Sequence, residues 1–156
     1  MVEKSDLDKA KYLLLRRLCK ASAHSVQLIM YLKKKGFSEA VIAEAIGIVR
    51  TFGFIDDVAY VARFVSALQN RGKSTKEILA RSYQKNIPMH QIKAALSEEN
   101  NEGKEEEVLR QLIEKKYEFL LDPEIDFKKR QKGLSALYRK GFNSSVIQKV
   151  LSLHFS

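Results

Sequence analysis

The chain of 156 residues holds one cysteine, two prolines and no tryptophan. A single cysteine closes no internal disulfide, which fits a reducing cytoplasm and leaves stability to packing. Cys19 stands among Leu14, Leu15 and Leu18 and is expected to be a small buried residue, not a nucleophile. The two prolines, Pro88 and Pro123, leave long stretches without a helix breaker. No apolar run reaches the roughly 20 residues of a membrane span. Residues 1–8 are too polar for a signal peptide. Strict alternation of apolar and polar residues is also missing, so no strand is expected.

Acidic residues are absent from one block altogether. Residues 127–156 carry seven Lys or Arg and no Asp or Glu. The whole chain is 45% apolar and 30% charged with a net charge of +9, the profile of a folded soluble protein. The charge is uneven: residues 1–55 carry +5, 56–97 carry +4, 98–126 carry −7 and 127–156 carry +7. Three basic blocks with one acidic interruption favour a polyanionic partner or an acidic protein surface.

The apolar spacing predicts helices throughout. Residues 7–20 present Leu14, Leu15 and Leu18. Ser25 is expected to cap a second helix, which ends in Lys33, Lys34 and Lys35 and stops at Gly36. Ser38 caps a third that buries Ile42, Ala45, Ile46 and Val49. Gly53 suits the left-handed residue past that helix, and Asp56 and Asp57 suit the start of the next. That fourth, central helix shows one apolar stripe of Val58, Val61, Ala62, Val65 and Leu68 and a second of Tyr60, Phe64 and Ala67. Gly72 ends it, and Ser74-Thr75-Lys76-Glu77 reads as a capping box. Pro88 opens a helix with Ile92, Ala95 and Leu96. Residues 97–104 read as a polar linker. A long helix is expected over 105–120, another over 127–140, and a last one capped by Asn143.

Internal repetition turns this order into an architecture. Lys35-Gly36-Phe37-Ser38, Lys85-Asn86-Ile87-Pro88 and Lys140-Gly141-Phe142-Asn143 share one pattern. Gly, Asn and Gly are the residues that best tolerate left-handed backbone. Phe37, Ile87 and Phe142 follow, and five residues later come Ile42, Ile92 and Ile147, the spacing of a hydrophobic staple. Ile46, Leu96 and Leu151 stand four further on, and Phe37, Phe142 and these residues are expected inside. The expected fold is all-α: three tandem three-helix repeats over 1–55, 56–98 and 99–156, forming an elongated, curved helical array.

The same residues carry a resemblance. Gly53-x-x-Asp56-Asp57-x-x-Tyr60-x-x-x-Phe64, then Gly72, Ile78 and Lys85-x-Ile87, resembles the RecX family of bacterial recombination regulators, as does Lys35-Gly36-Phe37 with Val41-Ile42. The similarity spans nearly the whole chain. Asn86 stands where the family's Lys-Gly-Ile run has glycine, and Arg81-Ser82 and Gln27-Leu28 stand where Glu-Leu is usual. The resemblance implies a non-enzymatic modulator of the RecA recombinase in DNA repair, recombination and the SOS response. Such proteins lodge in the groove of the RecA–DNA filament and suppress ATPase, strand exchange and filament extension. The implied partners are the RecA filament and single-stranded and double-stranded DNA; the implied state is a cytoplasmic monomer without cofactor, metal or membrane.

Exposed cations are the candidate contacts, because the apolar repeat positions are taken by the core. They are Lys33, Lys34 and Lys35 in the first repeat, and Arg63, Arg71, Lys73, Lys76, Arg81 and Lys85 in the second. Lys128, Lys129, Arg130 and Lys132 follow in the third. Each alone is more simply a solvated charge. His24, His90 and His154 lack metal-ligand spacing with one another and with Cys19. Asp56-Asp57 is read as helix capping before an acid–base pair, and Glu105-Glu106-Glu107 as favourable charge in a first helical turn. Tyr60 and Phe64 are read as core before base-stacking residues. No phosphate-binding glycine loop and no Gly-x-Ser-x-Gly elbow occurs. The alternative function is a general basic helical nucleic-acid-binding protein without a RecA partner.

Overall fold

Left-handed residues punctuate the chain. Gly36 has φ 94°, Gly53 82°, Gly72 78°, Asn86 60° and Gly141 99°. Behind all four glycines a backbone bond runs back five residues and closes the helix: Phe37 to Leu32, Phe54 to Val49, Lys73 to Leu68 and Phe142 to Leu137. Asn86 takes the same backbone region where the repeat has glycine elsewhere, as asparagine can.

The computed structural model describes residues 4–97 and 101–155, with side chains over 104–153 in the second stretch. Between the punctuation lie α1 (Lys4–Lys20), α2 (Ser25–Lys34), α3 (Glu39–Thr51), α4 (Asp57–Asn70), α5 (Thr75–Gln84), α6 (Met89–Ser97), α7 (Asn101–Lys116), α8 (Phe127–Arg139) and α9 (Ser144–Phe155). A 3₁₀ turn, Glu118–Leu121, separates α7 from α8. The fold is all-α, and no strand occurs among the described residues.

The chain forms two compact units, one running to Arg63 and including Lys85–Ile87, the other comprising Phe64–Gln84 and the residues from Pro88 on. In the first unit α1 and α2 pack on α3. Val41, Ile42, Ala45, Ile46 and Val49 line one face of α3 and meet Ala10, Leu14, Leu28 and Leu32. In the second unit α5 packs on α6, α7 on α9, and the 3₁₀ turn on α7, α8 and α9. Its core joins Val108, Leu109, Leu112, Ile113, Leu120, Leu137, Phe142, Ile147 and Val150.

Several sequence expectations change here. Cys19 is exposed; it falls outside the face that buries Ala10 and Leu14. On α4 only Val61, Val65 and Leu68 are buried. Val58 is 82% exposed, at the helix start before the first inward turn. Ala62 and Ala67 are exposed, and Tyr60 and Phe64 are half-buried. Phe37 and Leu151 are likewise half-buried, packed against the two cores. α7 begins at Asn101, so residues 101–104 are helix and not linker, and it ends at Lys116, short of 120. The repeat boundary at 98–99 lies outside the described residues.

Candidate functional site

Helix starts set the polar framework. His24, not Ser25, is the N-cap of α2: its Nδ1 accepts the Val26 amide at 3.1 Å, while Gln27 Oε1 accepts the His24 amide at 3.4 Å. Ser25 instead turns to Asp57. Its amide donates to Asp57 Oδ1 at 2.8 Å, and its hydroxyl donates to Asp57 Oδ2. Arg50 Nη2 lies 3.6 Å from that same Oδ2 and His24 Nε2 3.8 Å, and the His24 ring meets Tyr60 edge-on at 5.9 Å. Asp56 does cap α4, accepting the Ala59 amide at 3.1 Å. The expected pair of caps is therefore split: one carboxylate serves its own helix and the other serves α2.

The second unit repeats this device. Glu105 Oε1 accepts the Thr75 amide at 3.1 Å. Ser74 Oγ accepts from Glu77 N at 3.2 Å and donates to the Lys140 carbonyl at 2.6 Å. The capping box stays open on its other side, because the Glu77 carboxylate accepts from Arg81 at 3.1 Å and lies 3.8 Å from Lys73. The run Glu105-Glu106-Glu107 is not in a first turn, since α7 starts at Asn101. Glu106 pairs with Lys149 at 2.8 Å. Hydrogen bonds from Arg110 and then Gln111 hold the Glu107 carboxyl below the usual carboxylate range, and Glu107 in turn raises the Arg110 guanidinium.

The candidate cations fall into separate settings. In the first unit Lys33, Lys34 and Lys35 are exposed at the end of α2, with Lys35 Nζ 5.6 Å from the Tyr31 ring centre. Arg63 and Lys85 are exposed as well. In the second unit Lys73 and Arg81 share Glu77 and are half-buried, whereas Arg71 and Lys76 are exposed. Arg71 and Gly72 line a groove of about 280 Å³ together with Gln111, Lys115 and Lys116. Counting charge by segment hid Lys115 and Lys116 inside the acidic block; the basic last turn of α7 is the signal that finds them. Lys128, Lys129 and Lys132 are exposed on α8. Arg130 lines a wider groove of about 590 Å³ between α8 and α9, with Leu134, Tyr138, Ile147, Gln148, Leu151 and Ser152. No group of three or more His, Cys, Asp or Glu that could hold a metal occurs among the described residues, and the side chain of His154 lies outside them.

No helix among the described residues is long and apolar enough to cross a membrane. The fold and the site define an all-α protein of three-helix groups whose exposed cations gather in grooves and at helix ends. Residues 104–151 match the family described as RecX, third three-helix domain. Regulatory protein RecX of Caldanaerobacter subterraneus subsp. tengcongensis is 32% identical over 149 residues, 93% of this chain and 70% of that protein. The chain belongs to the RecX family. A crystal structure of a regulatory protein RecX superposes with a TM-score of 0.72 at 25% identity, over 93% of this chain and 71% of that one. RecX from Lactobacillus salivarius superposes with a TM-score of 0.81 at 21% identity, over 97% and 98%, a likeness of fold.

Proposed function

We propose that the chain is a non-enzymatic regulator of the RecA–DNA filament that lowers RecA ATPase, strand exchange and filament extension. Family membership supports this reading, and one structural observation carries it to residues. Arg71, Lys115 and Lys116 line one groove in the second unit, and among the described residues none of the three shares a carboxylate as Lys73 and Arg81 share Glu77. Grouped cations of this kind attract a polyanion, and their summed charge speeds its association. Partners on this reading are RecA and single- and double-stranded DNA; the chain acts in the cytoplasm as a monomer.

The test is RecA ATPase on single-stranded DNA. Reversing Arg71, Lys73 and Lys76 to Glu together is expected to weaken inhibition at least tenfold, about 1.4 kcal/mol, with helical content intact. Reversing Arg71, Lys115 and Lys116 is expected to do at least as much, because Lys73 is partly neutralised by Glu77. Glu118→Lys with Glu124→Lys serves as the acidic control. Glu105 and Glu106 do not, since they hold Thr75 and Lys149. Inhibition unchanged in both basic variants would overturn the assignment of this face. The second reading, plain nucleic-acid binding, draws on the block 127–156 with its seven cations and no carboxylate. Salt separates the two: phosphate binding alone weakens steeply with salt, whereas a protein contact keeps affinity.

A further inference from the structure

We propose that the groove between α8 and α9 seats an unpaired base of single-stranded nucleic acid, stacked on Tyr138, with Arg130 on a neighbouring phosphate. This deepens the preceding reading, which places grouped cations but no contact to a base, and rests on it only for the choice of a polyanionic partner. Arg130, Leu134 and Tyr138 lie four residues apart and so form one stripe along α8. Ile147, Gln148, Leu151 and Ser152 face them from α9, and together these residues line an open groove of about 590 Å³. Leu137 fills the core at 0% exposure. Tyr138, one residue on, is 47% exposed and leaves ring surface for a ligand. Tyr83 stands at the same position of the second repeat, 55 residues earlier, and is 74% exposed.

The lining matches one ligand chemistry. An aromatic face and an aliphatic floor suit the flat surface of a base, and an amide and a hydroxyl one turn apart suit its polar edge. Arg130 Nη2 donates to the Asp122 carbonyl at a long 3.4 Å, which steadies the guanidinium without cancelling its charge. Lys128, Lys129 and Lys132 are exposed on the same helix, and residues 127–156 contain no carboxylate. A duplex keeps its bases stacked inside and cannot offer one to Tyr138. An acidic peptide would use the lysines and leave the ring idle.

Fluorescence anisotropy of a labelled oligothymidylate with the full chain, without RecA, tests the site. Tyr138→Ala is expected to weaken binding about fivefold or more, the lower end of a base-stacking loss. Tyr138→Phe should bind within about twofold of the parent, because the ring face remains. Arg130→Gln should lower the slope of log affinity against log salt by about 0.7, one phosphate contact on a single strand. Binding of a labelled duplex should not respond to Tyr138→Ala. Circular dichroism of each variant establishes that it is folded. Unchanged oligothymidylate binding in folded Tyr138→Ala overturns the proposal. So does an equal loss for duplex or for polyglutamate, the latter pointing to an acidic protein. RecA ATPase is read separately. A chain that binds oligothymidylate through Tyr138 but leaves RecA unaffected keeps this site and overturns the filament reading. Inhibition without oligothymidylate binding does the reverse.

Discussion

Asp57 Oδ1 accepts the Ser25 amide at 2.8 Å, joining the first residue of α4 to the first residue of α2. Thr75, 50 residues beyond Ser25, opens α5 and gives its amide to Glu105 at 3.1 Å. In each case a carboxylate near the start of the following first helix satisfies an N–H that its own helix leaves open. Negative charge is also favoured at that end. Asp57→Ala should therefore destabilise by about 1–2 kcal/mol, as loss of a helix cap does. The loss should exceed that of Asp56→Ala, which caps only α4. Urea denaturation reads both. Equal or smaller loss at Asp57 would mean that the long-range bond contributes nothing net.

Gly141 differs from Gly36 although both fill the same repeat position. A Cβ at Gly36 meets nothing within 4 Å, so alanine there suffers only the left-handed penalty of roughly 1–2 kcal/mol. A Cβ at Gly141 would stand 2.6 Å from Ser74 Oγ and 3.0 Å from Lys76 Cβ. Gly141→Ala should be the more damaging in thermal melts, and it should cost less in a Ser74→Ala background, which has already lost the Ser74 hydroxyl and its two hydrogen bonds, than in the parent. Equal melting of the two alanine variants would contradict the close approach.

The backbone was largely legible, because left-handed residues and staple positions are chosen by local physics that sequence displays. Gly36, Asn86 and Gly141 show this, and so do the buried Ile42, Ile92 and Ile147. What failed was partner choice. Asp57 and Asp56 look alike in sequence, and only the fold brings Ser25 to one of them. Glu77 has the position of a capping-box residue, yet Arg81 and Lys73 compete for it. The basic candidates were legible as a class but not as sites, since Lys115 and Lys116 join Arg71 only through the packing of α7.

Ile42 is 3% exposed within the α3 face of the first core. Ile42→Ala should destabilise by roughly 2–5 kcal/mol. A loss below about 0.5 kcal/mol in urea titration, the range of an ordinary surface change, would place the side chain outside the core.

Cys19 carries the only thiol and is exposed. A maleimide reagent should therefore label the native chain fully, at a rate close to that of the urea-unfolded protein. Cys19→Ser should change stability by less than about 0.5 kcal/mol, as surface substitutions do. Protection of the thiol in the native state would return it to the interior.

Gly133 supplies the sharpest test of how the third helical group departs from the other two. The same repeat position holds Leu28 and Ile78, both buried. Analogy would recommend leucine at 133. The structure argues against it, because the 3₁₀ turn between α7 and α8 fills that space from outside the helix. A Cβ on Gly133 would meet Leu120 Cδ2 and Phe119 Cε2, each at 2.8 Å. Leu120 is itself 1% exposed and cannot swing into water without opening the core. Phe119 is 41% exposed and can retreat, so alanine forces a small shift and partly offsets it with better helix propensity. Leucine adds three more carbons with no room, and overpacking of that kind costs about 1–3 kcal/mol. Gly133→Leu should thus destabilise the chain although it restores the repeat pattern and raises helix propensity. Gly133→Leu combined with Leu120→Ala should recover much of the loss, since the added side chain then occupies the vacated volume. A Gly133→Leu chain as stable as the parent would show that the 3₁₀ turn does not pack on α8.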